Sequence, residues 1–345
     1  MASRSPSRRV TLADVAAHAG VSTATASKAL NGRYGVGPDA RRRVHEAVSQ
    51  LGYRSSTDDA HPPRRRALAT VVDGLESPYI SGVLQGVLAA ATAAGVDLLP
   101  RLAPDRDRRR TGAAARAWVA EQQASGVVGI IGLTVGEPNA MLAAAQDAQL
   151  PFVVVDPVDV RDPRVVSIGA TNWAGGRTAT EHLVGLGHRR IAWVGGPATS
   201  AASTERFHGY SAALASAGIE VDRALVREGS FSLETGREQG IALLGLADPP
   251  TAVVCGDDEI AVGVLGAARA LGVPVPERLS VVGFDDTPQA AWTTPGLTSV
   301  HQPLAGMGRM AVETVLAMAG GLQPASRQVQ LVTTLTVRDS TAPPG

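Results

Sequence analysis

The sequence predicts an α/β protein: a large body of parallel β-sheets, preceded by a small all-α unit. Three observations carry this. From about residue 67 onwards, short apolar runs alternate with helical stretches, the pattern of strands joined by crossover helices. Residues 10–53 read instead as three short helices with stop and start signals between them. Between the two, residues 54–66 turn polar and hold Pro62, Pro63 and the run Arg64, Arg65, Arg66, a linker by composition. The expected units are therefore 1–53 (ordered from about residue 10), 54–66 and 67–345.

Taken in order, Thr11 is a natural N-cap for a helix with Leu12, Val15, Ala16 and Ala19 at helical spacing. Gly20 stops it, and Ser22 caps the next, which turns Ala26, Ala29 and Leu30 inward and ends at Asn31-Gly32. Pro38 and Asp39 open a third helix with Val44, Ala47, Val48 and Leu51 on its apolar face. Strand-like runs follow near 68–72, 96–99, 127–133, 152–155, 191–194, 252–255 and 280–284. Helical stretches such as 80–94, 111–124, 174–186, 205–217, 233–246 and 260–271 lie between them. At about 275 residues this body has room for two α/β lobes.

Composition narrows the function. Hydrophobic residues make up 44%, enough for large cores. No window approaches ~18 uncharged apolar residues, so no membrane span is expected. Met1–Arg9 carries arginines with no apolar stretch after it, which argues against a secretory signal. The single cysteine, Cys255, rules out an intramolecular disulfide framework and fits a reducing cytoplasm. A formal net charge of zero hides an asymmetry. Residues 1–66 hold 12 basic against 5 acidic side chains, and the remainder holds 20 against 27. A basic head on an acidic body is the footprint of DNA binding, with a solvated basic tail as the alternative.

The head has the parts that DNA reading needs. Ala19-Gly20-Val21-Ser22 supplies a tight turn between two short helices, with Val21 expected as a buried pivot. On the second helix Ala24 and Lys28 are i, i+4 neighbours flanked by Thr23 and Ser27. Lysine donates to guanine edges, threonine bonds or touches a thymine methyl, and alanine touches the methyl only. A three-helix bundle without a DNA role is the alternative.

The stretches Val10–Ala16, Ala19–Ser22 and Ala24–Gly32, continued by Arg43-Val44 and Leu51-Gly52-Tyr53, strongly resemble the lactose/galactose repressor family. The resemblance extends over almost the whole chain. It implies base reading by Thr23, Ala24 and Lys28, operator DNA as partner and action as a homodimer. The full set assigned to DNA is Thr11, Ser22, Thr23, Ala24, Ser27 and Lys28. Two departures stand out: Gly37 replaces a serine cap, and segment 54–63 has no leucine to wedge into a minor groove. Arg64–Arg66 is left either to touch phosphates or to solubilise the linker.

The same resemblance implies a periplasmic-binding-protein-like effector domain: two α/β lobes, three crossings and a mono- or disaccharide in the cleft. Ligands in parallel α/β sheets sit at the carboxyl ends of strands, and a sugar needs carboxylates, amides, an arginine fork and an aromatic face. Tyr79, Asp156, Arg206, Phe231, Asp257, Asp285 and Gln302 supply these groups at such positions, Gln302 on a crossing strand. Within the pairs Asp257-Asp258 and Asp285-Asp286 the first member is the ligand candidate; the second is expected to cap a helix or hold a loop. Structural alternatives stay open: N-caps for Asp156 and Asp257, core packing for Tyr79 and Phe231, an inter-helix ion pair for Arg206. Trp173 and Trp292 could face the cleft or pack.

No catalytic signature is present: neither a phosphate loop, a nucleophile elbow nor a dinucleotide fingerprint. His182 and His188 are spaced wrongly for a shared helical face, so no metal and no cofactor is expected. A transport binding protein has no use for a helix-turn-helix, and an α/β enzyme would need a nucleophile or cofactor motif. A ligand-responsive DNA-binding regulator uses both halves. Release from the operator by a sugar is the family's usual mode, with corepression as the alternative.

Overall fold

The computed structural model describes residues 10–30, 36–51, 66–103, 112–134, 139–157 and 164–345. The chain divides into two compact units, Met1–Arg65 and Arg66–Gly345. The expected helix stop at Asn31-Gly32, Tyr53, and the linker apart from Arg66 lie outside the described residues.

The first unit contains α1 (Leu12–His18), α2 (Thr23–Leu30) and α3 (Pro38–Leu51). Thr11 closes a capping box with Asp14, and Ser22 Oγ accepts from the Thr25 amide at 3.1 Å. Gly20 takes φ +64°, where a side chain would be strained, and the Val21 amide then reaches back to the Ala16 carbonyl. Val15, Ala16, Ala26, Ala29, Val44 and Ala47 form the buried centre. Val21 is only partly buried, a correction to its expected role as a buried pivot. It packs on this small core from the turn, and one side stays open to solvent.

The second unit contains two six-stranded sheets. One holds β1 (Ala67–Val72), β2 (Asp97–Leu102), β3 (Val127–Leu133), β4 (Phe152–Val155), β5 (Val166–Ala170) and β11 (Gln328–Leu331), in the order β11-β5-β4-β3-β1-β2. The other holds β6 (Ile191–Gly195), β7 (Val226–Glu228), β8 (Ala252–Cys255), β9 (Ser280–Asp285), β10 (Thr298–His301) and β12 (Thr334–Thr336), in the order β12-β10-β9-β8-β6-β7. The helices are α4 (Pro78–Ala93), α5 (Gly112–Ala124), α6 (Asn139–Asp147), α7 (Asn172–Gly185), α8 (Ala201–Ser216), α9 (Leu233–Leu244), α10 (Asp258–Ala270), α11 (Pro288–Trp292) and α12 (Leu304–Ala319). Apolar clusters cover both faces of each sheet, which is why the central strands read as continuous apolar runs.

The expected two lobes are present, and the chain passes between them three times: at Thr171, at Gln302-Pro303 and at Val332-Thr333. One strand departs from the expected parallel order: β12 runs antiparallel to β10. The reason is geometric. Parallel strands of both lobes end at the cleft between them. A segment that runs straight through the cleft, as 328–336 does, must therefore be parallel in one sheet and antiparallel in the other. Two crossings are clipped together, with Thr171 Oγ1 2.9 Å from Thr333 Oγ1 and accepting from the Thr333 amide at 3.0 Å. Among the described residues no helix is long and apolar enough to cross a membrane.

Candidate functional site

On the head, Thr23, Ala24 and Lys28 are exposed on α2, while Ser27 is partly buried. The Thr11 and Ser22 hydroxyls are engaged in capping, Thr11 with Asp14 and Ser22 with Thr25. That leaves the outward face of α2 to Thr23, Ala24 and Lys28.

In the second unit, strand ends and helix starts bring six of the seven expected residues to the cleft: Arg206, Asp257, Asp285 and Gln302 are buried, and Tyr79 and Asp156 are half-buried. Tyr79 stands in the first turn of α4, and its hydroxyl donates to Asp156 Oδ2 at 2.6 Å. Asp156 follows β4 with φ +44°, a left-handed conformation that aspartate tolerates. Both groups come from the first lobe. From the second, Arg206 projects from α8. Its Nε donates to Asn172 Oδ1 at 2.8 Å and its Nη1 to the Gly256 carbonyl at 2.6 Å. The same nitrogen lies 3.5 Å from Asp285 Oδ1, and the guanidinium sits 3.8 Å above the Phe284 ring centroid. Asp285 (φ +102°) also accepts from Gln302 Nε2 at 2.6 Å, which ties β9 to the second crossing. Gln302 itself lies just beyond β10.

Glycines make this geometry possible. A Cβ on Gly176 would collide with the Arg206 carbonyl, and one on Gly209 with that of Trp173. Only bare backbone lets α7 and α8 approach closely enough to set Arg206 beside Asn172.

Burial dominates the electrostatics. It pushes the carboxyls of Asp156, Asp257 and Asp285 above the usual carboxylate range, opposed by the Arg206 charge. Burial likewise raises the Tyr79 hydroxyl, reinforced by the neighbouring Asp156. Several carboxylates thus share one guanidinium, an arrangement suited to binding hydroxyl groups.

The structure shows how the open alternatives fall. Asp257 is the N-cap of α10, accepting from the Ile260 amide at 2.8 Å, so its capping alternative holds. Asp258 holds the following loop, accepting from the Thr287 amide (2.7 Å), the Thr287 hydroxyl (2.9 Å) and Ser299 Oγ. Asp286 likewise anchors the C-terminal segment through Arg338 Nη2 at 2.6 Å and Thr336 Oγ1 at 2.9 Å. Phe231 stands apart from the hydrogen-bonded cluster, half-buried against the core and over Gly196 at the end of β6. Trp173 is 43% exposed beneath Arg177, and Trp292, 74% exposed, lines a cavity of about 400 Å³ beside the cluster. That cavity takes residues from both lobes, including Pro78, Glu259, Thr287 and Gln289, and shares Asp258 with the cluster's surroundings.

Sequence reasoning missed Asn172, Phe284 and Glu205, whose carboxylate accepts from Asn172. Asn172 begins the helix after β5, so the strand-end rule that selected Asp156 applies to it equally. Nothing local marks Phe284 as the face beneath an arginine.

Comparison with known proteins places both units. Residues 11–56 match the model for bacterial regulatory proteins of the lacI family, and residues 180–341 match a periplasmic binding protein-like domain. The HTH-type transcriptional regulator CelR of Thermobifida fusca is 34% identical over 344 residues, covering 96% of this chain and 98% of that protein. The HTH-type transcriptional regulator MalR of Streptomyces coelicolor is 33% identical over 342 residues, covering 96% of each. A solved complex of the transcriptional regulator CelR with cellobiose superposes with a TM-score of 0.70 at 32% identity, covering 96% of this chain and all of that one. The lac repressor dimer bound to operator and the anti-inducer ONPF gives 0.71 at 26% identity over 97% of this chain and 100% of that one. A head and an effector domain matched in the same order, with about a third of the residues identical along nearly the full length, show that the chain belongs to the lacI family of bacterial regulatory proteins, DNA-binding transcriptional regulators.

Proposed function

We propose that the chain is a repressor that binds an operator as a homodimer and releases it when a mono- or disaccharide enters the cleft. In this reading the helices within residues 1–53 carry DNA recognition, with Thr23, Ala24 and Lys28 facing bases and Ser27, Ser22 and Thr11 supporting them. The linker spans 54–66, and 67–345 bind the effector and the second subunit. Tyr79, Asp156, Arg206, Asp257, Asp285 and Gln302 hold sugar hydroxyls, with Phe231 at the margin. One observation carries the proposal: the hydrogen-bonded pair Tyr79 and Asp156 of one lobe faces the set Arg206, Asp285 and Gln302 across the cleft, close enough for the Arg206 charge to act on Asp156. A ligand held by both sets would fix the lobes relative to each other. CelR, described in complex with cellobiose, supports a sugar as the ligand. No catalytic residue, metal or cofactor enters this reading, and the protein acts where DNA is, in the cytoplasm.

The test is fluorescence anisotropy on DNA from upstream of the protein's own gene, with and without a panel of sugars. Specific binding weakened by one sugar is the expected result. Binding strengthened by the ligand would make that ligand a corepressor, and absence of sequence-specific binding would end the reading.

A further inference from the structure

The cleft cluster is unbalanced in a way that bears on its ligand. Several of its donors are committed within the protein. Tyr79 OH goes to Asp156, Gln302 Nε2 to Asp285, Arg206 Nε to Asn172 and Arg206 Nη1 to the Gly256 carbonyl. The Asn172 amide serves Glu205. Several of its acceptors are left open. Gln302 is 1% exposed, and its Oε1 is buried with no hydrogen-bond partner among the described residues. The hydrogen bonds given to Asp257 and Asp285 by described residues reach only Oδ1 of each. Arg206 is the cationic side chain set against Asp156, Asp257 and Asp285.

A buried acceptor without a partner has lost its water and gained nothing in return. A ligand that supplies hydrogen atoms removes that cost at several points at once. A ligand bearing phosphate or carboxylate brings more acceptors and a like charge, and such juxtaposition disfavours binding. Resting on the carbohydrate reading above, we infer that the effector is a hydrogen-bond-donating, uncharged or amino-substituted sugar, and that the cleft rejects phosphorylated and acidic sugars.

The experiment is calorimetric titration of the full chain with matched sugars: cellobiose and cellobionic acid, maltose and maltobionic acid, and glucose, glucosamine and glucose 6-phosphate. A neutral or amino member should bind at least about 100-fold more tightly than its anionic counterpart. An anionic member within tenfold of its parent overturns the inference. Binding confined to anionic members overturns it too, while leaving the carbohydrate reading in place. A panel with no binder removes both. Asp257→Asn gives an independent check, because asparagine caps a helix as well as aspartate does. Measured at about pH 8, where Asp257 carries its charge, the neutral-to-anionic ratio should shrink about tenfold in this variant. An unchanged ratio would show that the Asp257 charge plays no part in the discrimination, and would overturn its role.

Discussion

Asp257 shows how one side chain serves two purposes. Its Oδ1 caps α10, yet burial raises its pKa to about 7. The folded state therefore holds the proton more tightly than the unfolded chain. Between about pH 4 and pH 7 the folded form binds more protons, and stability attributable to this group falls as pH rises. Asp257→Asn removes the titration and keeps the cap. Its melting temperature should equal the wild type's near pH 4 and exceed it increasingly towards pH 8. The gain should be on the order of 2–4 kcal/mol, since each tenfold change in proton affinity is worth about 1.4 kcal/mol. A constant difference across that range would count against a buried charge there. On the head, Lys28 is the long exposed donor of α2. Lys28→Ala should cost about 1–3 kcal/mol on the operator and flatten preference at one position per half-site. Equal losses on operator and random DNA would make Lys28 a phosphate contact.

Helix pairs and crossings set the geometry at the next scale. The contact of α7 with α8 depends on Gly176 and Gly209, each facing the other helix's backbone. Gly176→Ala must push α8 outward, and overpacking of this kind costs about 1–3 kcal/mol. Because Arg206 sits at that contact, effector affinity should fall together with thermal stability. Loss of stability with unchanged affinity would separate the helix contact from the site. At the crossings, Thr171 Oγ1 accepts from the Thr333 amide and meets its hydroxyl. Thr171→Val keeps the shape and leaves that amide unpaired, a penalty of about 1–3 kcal/mol while the two crossings stay side by side. The expected result is a shift in effector affinity with little change in operator affinity of the ligand-free protein, read by titration calorimetry and anisotropy.

At the scale of the whole molecule, operator and effector affinities are linked. If sugar weakens operator binding by some factor, operator must weaken sugar binding by the same factor. Measuring sugar affinity with and without saturating operator tests this. An effect of sugar on operator with no reciprocal effect would mean that the released species is not at equilibrium with the bound one. Asp285→Asn should abolish the response while operator binding persists, because Asp285 bridges Arg206 and the Gln302 crossing within a unit separate from the head. Asparagine removes the charge but keeps the shape and an acceptor oxygen for Gln302 Nε2, whereas alanine would leave a gap and no acceptor.

The sequence by itself determined the head, its caps, the alternating plan of the body and most of the strand-end polar residues. These signals are local: Thr11 and Asp14 lie three residues apart, Gly20 ends a helix one residue beyond its cap, and Asp156 directly follows an apolar run. The tertiary structure decided what each group does. Tyr79 meets Asp156 across 77 residues and Thr171 meets Thr333 across 162, distances at which no periodicity carries information. It also reversed β12, because a polar three-residue strand takes its direction from the lobe it leaves rather than from its own side chains. Asp258 as loop anchor and Phe284 beneath Arg206 follow the same rule. Residue type sets which bonds a side chain can make, and only the folded chain's long-range packing sets which bonds are left for a ligand.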